Sequence, residues 1–298
     1  MQLSHAHEDK FAAIGGIAQR VSELTGDEYI AGLFRRDFIK QLQWYVPYQT
    51  DLLRYRPTKW RAPSWSWASL DRGVIYDFRR VGREMVSLVR YDLSHVDLNN
   101  PYGAMTAASV TLSGRLIEGS VAMIGFRAGE SVLMTLSGRL IEGSVAKIGF
   151  RAGESVLRLQ FGAIRMEGSI RELSEDVMEG PVLIKPDTTN FDGVGAGSDD
   201  AIFLLILGWQ WRFGRGPDSG ETLSERAVQD CEATTVFPEE DRWADIALSG
   251  LVLQRSGPDA YSRCGNFRTY PYSRPSSVEV PQLLRQWTQA REQKILLV

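Results

Sequence analysis

The chain has 298 residues, more than the roughly 100 to 200 of one ordinary domain, so one large or two small domains and a substantial buried core are within reach. Hydrophobic residues make up 43%, aromatics 10% and charged residues 24%, which excludes a wholly disordered, collagenous or disulfide-knotted chain. A formal net charge of −3 argues against a generic nucleic-acid coat, which needs an excess of Lys and Arg.

Residues 1–10 lack the basic end and apolar stretch of a secretory signal. The longest strongly apolar run, Ala201 to Leu207, is seven residues, far below the ~20 that span a bilayer, so no membrane partner is expected. No Asn-x-Ser/Thr acceptor occurs, and Cys231 and Cys264, the only cysteines, read as buried free thiols. The cytoplasm is the expected compartment.

In chain order, Phe11, Ile14, Ile17, Ala18, Val21 and Leu24 recur at helical spacing, and Thr25-Gly26-Asp27 reads as a stop followed by a new cap. Tyr29, Ile30, Leu33, Phe34, Phe38, Ile39, Leu42 and Tyr45 then predict a second amphipathic helix before Pro47. From about Ser64 to Tyr270 the period shifts toward two and glycine becomes frequent, which predicts a β-rich, mostly antiparallel body. Val280-Pro281 opens an expected helix over Gln282 to Gln293, and an apolar end, Ile295 to Val298, supplies a short strand. The expected class is α+β: N-terminal amphipathic helices, a β-rich body, and a C-terminal helix with a short strand.

A near-identical doubling interrupts the body. Residues 111–134 and 135–158 differ only at Met123/Lys147 and Met134/Arg158, unlike the diverged units of a solenoid. Each copy offers strands such as Leu112 to Ile117 and Val121 to Phe126, with Gly119-Ser120 and Ala128-Gly129 as turns, so the extra copy is expected to add a hairpin. Because Met123 stands where the other copy has Lys147, Ile124 and Phe126 are expected to face the core instead.

Catalytic templates are missing: no Gly-x-Ser-x-Gly elbow, phosphate loop, His-Glu-x-x-His or Cys-x-x-Cys occurs. His5 and His7 lack a third ligand nearby, and His95 sits in an alternating segment that suits a surface or hydrogen-bonded histidine. Thr188, Asn190, Asp192 and Asp199 copy part of a calcium-loop spacing but begin and end on the wrong ligands. Gly193, Gly195 and Gly197 precede an apolar strand, the wrong order for a dinucleotide turn. No catalytic residue, cofactor or metal is therefore assigned, and an enzyme is not expected. Between Arg54 and Tyr91, cations interleave with rings, as in a single-strand binder, but Trp65 and Trp67 at period two suit a core better, so nucleic acid is not the expected partner.

The run Arg61-Ala62-Pro63-Ser64-Trp65-Ser66-Trp67-Ala68-Ser69 resembles a signature of fungal heterokaryon-incompatibility (HET) proteins. Asp9 to Ala18, Thr25 to Phe34 and Leu42 to Trp44 look like the helical stretch before that signature. Pro101 to Gly103, Leu112 to Gly114, Gly250 to Leu253, Tyr261 to Phe267 and Trp287 to Val298 resemble the family's C-terminal region in order. The resemblance implies a helical segment at 1–60 completing a HET-type domain and a β-rich C-terminal region at 61–298, with no match to the N-terminal HET core. It further implies a role in nonself recognition after hyphal fusion, ending in growth arrest or programmed cell death, with a HET core or incompatibility-gene product as protein partner. Two other readings are the scaffold half of a TIR-like NAD-consuming effector and a truncated relic. Within the signature, Pro63 is expected to hold the chain extended, Trp65 and Trp67 to bury area, and Arg61 to pair with an acid such as Asp71.

Overall fold

The computed structural model describes residues 6–46, 56–57, 59–71, 73–76, 83–127, 130–133, 155–161, 164–169, 182–187, 202–211, 237–240, 243, 246–269 and 279–298. Helix α1 (Ala6–Thr25) comes first, with Phe11 and Ala18 buried while Ile17 and Leu24 face outward. A hairpin of β1 (Tyr29–Ile30) and β2 (Leu33–Phe34) follows, then one helical turn, α2 (Phe38–Gln41). The predicted second helix is thus broken. Ala31 and Gly32 adopt φ of 48° and 101°, the left-handed pair of a tight hairpin turn, which reverses the chain where a helix would continue. Ile30, Leu33, Phe38, Ile39 and Leu42 are all buried nevertheless, so the apolar pattern marked burial without marking helix.

The body is made of strands. The order is β3 (Arg83–Glu84), β4 (Ser87–His95), β5 (Met105–Arg127), β6 (Glu130–Leu133), β7 (Ser155–Phe161), β8 (Ile164–Ser169), β9 (Val182–Pro186), β10 (Ile202–Trp211), β11 (Ile246–Arg255) and β12 (Ala260–Thr269). Helix α3 (Glu279–Gln289) and strand β13 (Glu292–Leu297) complete it. The last helix therefore begins before Pro281 and stops before Glu292, where the expected helix over 282–293 gives way to a strand.

Strands β5, β10, β11, β12 and β13 close into a ring, each paired with the next and β13 paired back to β5. Four junctions are antiparallel and the β12–β13 junction is parallel. A ring with an odd number of strands cannot alternate direction all the way round, so a parallel junction is unavoidable. Parallel neighbours need a crossover, and α3 lies in that connection. The expected α+β arrangement is therefore corrected: among the described residues the protein is strand-dominated around a closed five-stranded barrel, with few helices.

Strand β10 shows why periodicity missed the closure. Phe203, Leu205 and Leu207 join a core shared with α1, the hairpin and the signature run, whereas Ile202, Leu204 and Ile206 join a second core under α3. A strand buried on both faces reads as an unbroken apolar run. A bulge between Ile206 and Gly208 shifts the register against β11, and Trp209 enters the second core. Opposite it, Gly250 lets the strands approach: a Cβ there would stand 2.1 Å from the Leu205 carbonyl oxygen.

Strand β5 runs unbroken through Gly119-Ser120, so that pair is not the expected turn. From Ser120 onward β5 leaves the barrel and pairs with β7, while β6 pairs with it at Ile124 to Arg127. Strand β6 and the start of β7 carry the matching Ser-Val-Leu of the two copies. Residues 134–154, with most of the second copy and Lys147, and the side chains of Met123, Ile124 and Phe126 lie outside the described residues.

Candidate functional site

The nine signature residues form an irregular clasp between the N-terminal elements and the barrel. Pro63 fixes an extended approach, and its carbonyl accepts from the Ser66 N–H at 3.0 Å. Ser66 then caps a single 3-10 turn, Trp67–Ser69, by accepting from the Ala68 N–H at 3.1 Å. Trp65 and Trp67 consequently do not sit on one strand face. Trp65 is fully buried, edge-on to Phe38 with ring centroids 5.6 Å apart, whereas Trp67 is half-buried at the border of two cores.

The clasp reads the hairpin turn through its backbone. Ser66 Oγ donates to the Ala31 carbonyl at 2.6 Å, and Trp67 Nε1 donates to the Gly32 carbonyl at 2.8 Å. Gly32 has to be glycine here, since a Cβ would lie 2.7 Å from that indole nitrogen. Trp44 Nε1 donates to the Trp65 carbonyl at 2.9 Å, which ties in the segment after α2. Arg61 wraps the turn: its guanidinium donates to the carbonyls of Ala68 and Leu70 at 2.7 and 2.8 Å and pairs with Asp71 at 2.9 Å. Ala62 and Ala68 are buried within the clasp.

Ser64 attaches the clasp to the barrel. Its N–H and Oγ both donate to the main-chain oxygen of Val298, and Oγ accepts from the Arg263 N–H at 2.9 Å. Ser69 Oγ donates back to the Ser64 carbonyl at 3.4 Å. From α1, the Lys10 ammonium donates to the Leu70 carbonyl and lies 5.7 Å over the Trp67 ring. Burial, reinforced by the nearby Arg61 charge and opposed by Asp71, lowers the Lys10 pKa to about 8.

Behind Ser64 lies a buried ion pair that sequence reasoning missed. Arg263, in β12, holds Asp187 through two contacts of 2.9 and 3.0 Å, donates to the carbonyls of Leu42 and Trp44, and stacks 3.3 Å from the Trp44 ring centroid. Burial disfavours its charge and Asp187 favours it, with burial the larger influence. Arg56 donates to the Arg263 carbonyl at 2.7 Å and stands 3.6 Å from Asp187. The signal available in sequence was alternation: Tyr261 and Arg263 share one buried face of β12, ahead of a register shift that turns Phe267 into the second core, so an arginine there implies a buried partner.

Beside the clasp opens a groove of about 580 Å³. One wall is the clasp itself, with Trp60, Ala62 and Ser64. The other is β5 from Thr106 to Ser109, with Asp92 and Ser94 of β4 beyond it. Ser262, Val298 and Arg56 also line it. Most of the lining is small or hydroxyl-bearing, with Arg56 and Asp92 as its charged members and Trp60, 48% exposed, as its one aromatic ring. Of the stretch weighed for nucleic acid, Arg56 and Arg61 spend their guanidinium groups inward, while Arg54, Tyr55, Arg72, Asp77, Phe78, Arg79 and Arg80 lie outside the described residues. So do His5, the His7 side chain, Cys231, and the glycine-rich and acidic loop at 188–199. His95 ends β4, half-buried, and Cys264 is a free thiol in β12.

Among the described residues, no group of three or more His, Cys, Asp or Glu is placed to hold a metal ion, and no helix is long and apolar enough to cross a membrane. No family model, no curated protein and no solved structure matches the chain, which leaves its own residues and geometry as the ground for a functional reading.

Proposed function

We propose that this chain is the C-terminal region of a fungal heterokaryon-incompatibility protein and acts by contact with a protein partner, a HET core or another incompatibility-gene product, rather than by catalysis. Its setting is the cytoplasm after hyphal fusion, where nonself recognition ends in growth arrest or programmed cell death. The observation that supports this reading is the double position of the run Arg61–Ser69. Its buried side chains hold α1, the hairpin turn and the barrel together, while Ala62 and Ser64 also wall an open groove. A rim anchored by core contacts is preorganised, and preorganisation lowers the entropy lost on association.

The test is titration of the purified chain into a purified HET core, with NAD consumption followed in parallel. Saturable association with unchanged turnover is the expected result. No association overturns the contact reading, and accelerated NAD loss transfers the chain to the scaffold half of a TIR-like NAD-consuming effector.

A further inference from the structure

We propose that the second copy of the doubled segment is a spare strand: residues 135–143 can take the place that Thr111–Gly119 hold in β5, so that the barrel closes in either of two registers one repeat apart. This goes beyond the contact reading above and does not rest on it.

The first copy is the stretch of β5 where the ring closes. Thr111 to Arg115 pairs with β13 and Leu116 to Gly119 with β10. Leu112 and Leu116 enter the first core, and Ile117 enters the second. Gly114 stands where a Cβ would meet Val86 at 2.7 Å. Ser113 donates to Glu292 at 2.8 Å, and Arg115 donates to the Thr288 carbonyl at 2.9 Å while lying 4.7 Å over the Trp287 ring. Residues 135–143 repeat this stretch residue for residue, with Leu136, Ser137, Gly138, Arg139, Leu140 and Ile141 at the corresponding positions. Identical side chains at identical spacing satisfy the same cores, the same close approach and the same polar partners, so the place in the ring does not discriminate between the copies.

The flanks set the balance. Downstream, the exchange is accommodated: the β5–β6 hairpin pairs Arg127 with Glu130, and the second copy carries the same Arg-Ala-Gly-Glu at 151–154, leading straight into β7. Ile124 already pairs with Leu133 in β6 and with Val156 in β7, so the Ser-Val-Leu of each copy lies along one edge of β5. Upstream, residues 129–134 would follow β4 in place of Met105–Val110. Met134 then substitutes for the fully buried Val110, but Gly129 substitutes for the buried Met105. Losing that side chain disfavours the exchanged register by about thirtyfold. Lengthening the β4–β5 connection from residues 96–104 to 96–128 disfavours it by about sevenfold more. The first copy is therefore preferred by a factor of about 10² to 10³, and the exchanged barrel is a minor state. Residues 105–128 then leave the sheet for the β4–β5 connection, which remodels the face where Tyr102 adjoins Tyr29. Anything that binds the released segment draws the barrel into the second register.

The experiment uses the full chain with Cys231 and Cys264 replaced by serine. Ser113 lies opposite Lys294 in the β5–β13 ladder, so Ser113→Cys/Lys294→Cys is expected to form an intramolecular disulfide on mild oxidation. Ser137→Cys/Lys294→Cys is expected to form its link about 10² to 10³ times more slowly, as oxidation draws off the minor register. Glu142→Cys/Lys294→Cys is the control outside the ladder, because its counterpart Glu118 lies opposite Phe203 of β10. A second measurement places charge in the first copy. Leu112→Asp/Leu116→Asp is expected to keep a cooperative urea transition and to speed the Ser137→Cys/Lys294→Cys link at least tenfold, whereas adding Leu136→Asp/Leu140→Asp is expected to abolish the transition. The proposal is overturned if the Ser137→Cys pair never links, or links no faster than the Glu142→Cys control. It is equally overturned if Leu112→Asp/Leu116→Asp is unfolded, or if the transition survives charge in both copies.

Discussion

Replacing Arg263 by methionine removes a guanidinium while keeping most of its stem volume. In the folded protein, Asp187 then loses both close contacts and, among the described residues, keeps the Arg56 cation 3.6 Å away on a partly exposed side chain. The Leu42 carbonyl loses the guanidinium donor, whereas the Trp44 carbonyl retains Asn266 Nδ2 at 3.2 Å. Breaking a buried pair costs about 3–5 kcal/mol and an orphaned buried acceptor about 1–3 kcal/mol. With Arg56 offsetting part of the exposed charge, the expected loss is about 4 kcal/mol, a large share of the roughly 5–15 kcal/mol that holds a domain folded. Urea unfolding, read by tryptophan emission and circular dichroism, measures it. The decisive comparison adds Asp187→Asn: with no stranded carboxylate left, Arg263→Met/Asp187→Asn is expected to recover about 2 kcal/mol relative to the sum of the single changes. A single variant that loses less than about 1 kcal/mol, or a pair that adds within about 0.5 kcal/mol, refutes the reasoning.

Trp65→Ala empties a fully buried site against Phe38 and is expected to cost about 3–5 kcal/mol by urea unfolding, with the half-buried Trp67→Ala costing less. Lys10 holds its proton less tightly when folded, with a pKa of about 8 against 10.5 for the free side chain, so between those values the unfolded chain binds the extra proton and stability rises with pH. The rise attributable to Lys10 is expected to reach about 2 to 3 kcal/mol, the lower figure allowing for solvent screening. The stability difference between the native protein and Lys10→Met, measured at pH 7, 8.5 and 9.5, should therefore move in favour of the native protein as pH rises, and parallel curves would refute the assignment. Gly250→Ala places a methyl group against the β10 backbone, so it is expected to cost at least 2 to 3 kcal/mol, as much as severe overpacking, and a smaller loss would show that the ring yields there.

What could be read in advance, and what could not, divides along range of interaction. Ile30, Leu33, Phe38 and Leu42 were recognisable as buried positions because burial leaves an apolar imprint whatever the backbone does. Their hairpin was not, because two carbonyls at Ala31 and Gly32 are held by Ser66 and Trp67, 35 residues away, and no local pattern carries that information. Ile202 to Leu207 was visible as a strand, yet its membership of a closed ring depends on β5 and β11, whose partners are set by tertiary packing. Arg61 and Asp71 were close enough in sequence to be paired on paper, whereas Arg263 and Asp187, 76 residues apart, were not. The groove is harder still, since its walls come from the clasp, β4, β5, β12 and the end of β13.

The strand that closes the barrel is also the last of its five strands in chain order. Ser113 meets Glu292 across 179 residues, and the clasp at Ser64 waits 234 residues for Val298. During synthesis β5 and β12 therefore remain unsatisfied edges until β13 has emerged, and the loop entropy for joining them is spent in a single late step. A chain interrupted before β13 presents two bare edges rather than a slightly smaller barrel, and bare edges recruit neighbours. Production of this protein should accordingly depend on a holding chaperone more than its size suggests, with aggregates enriched in products that end upstream of Glu292.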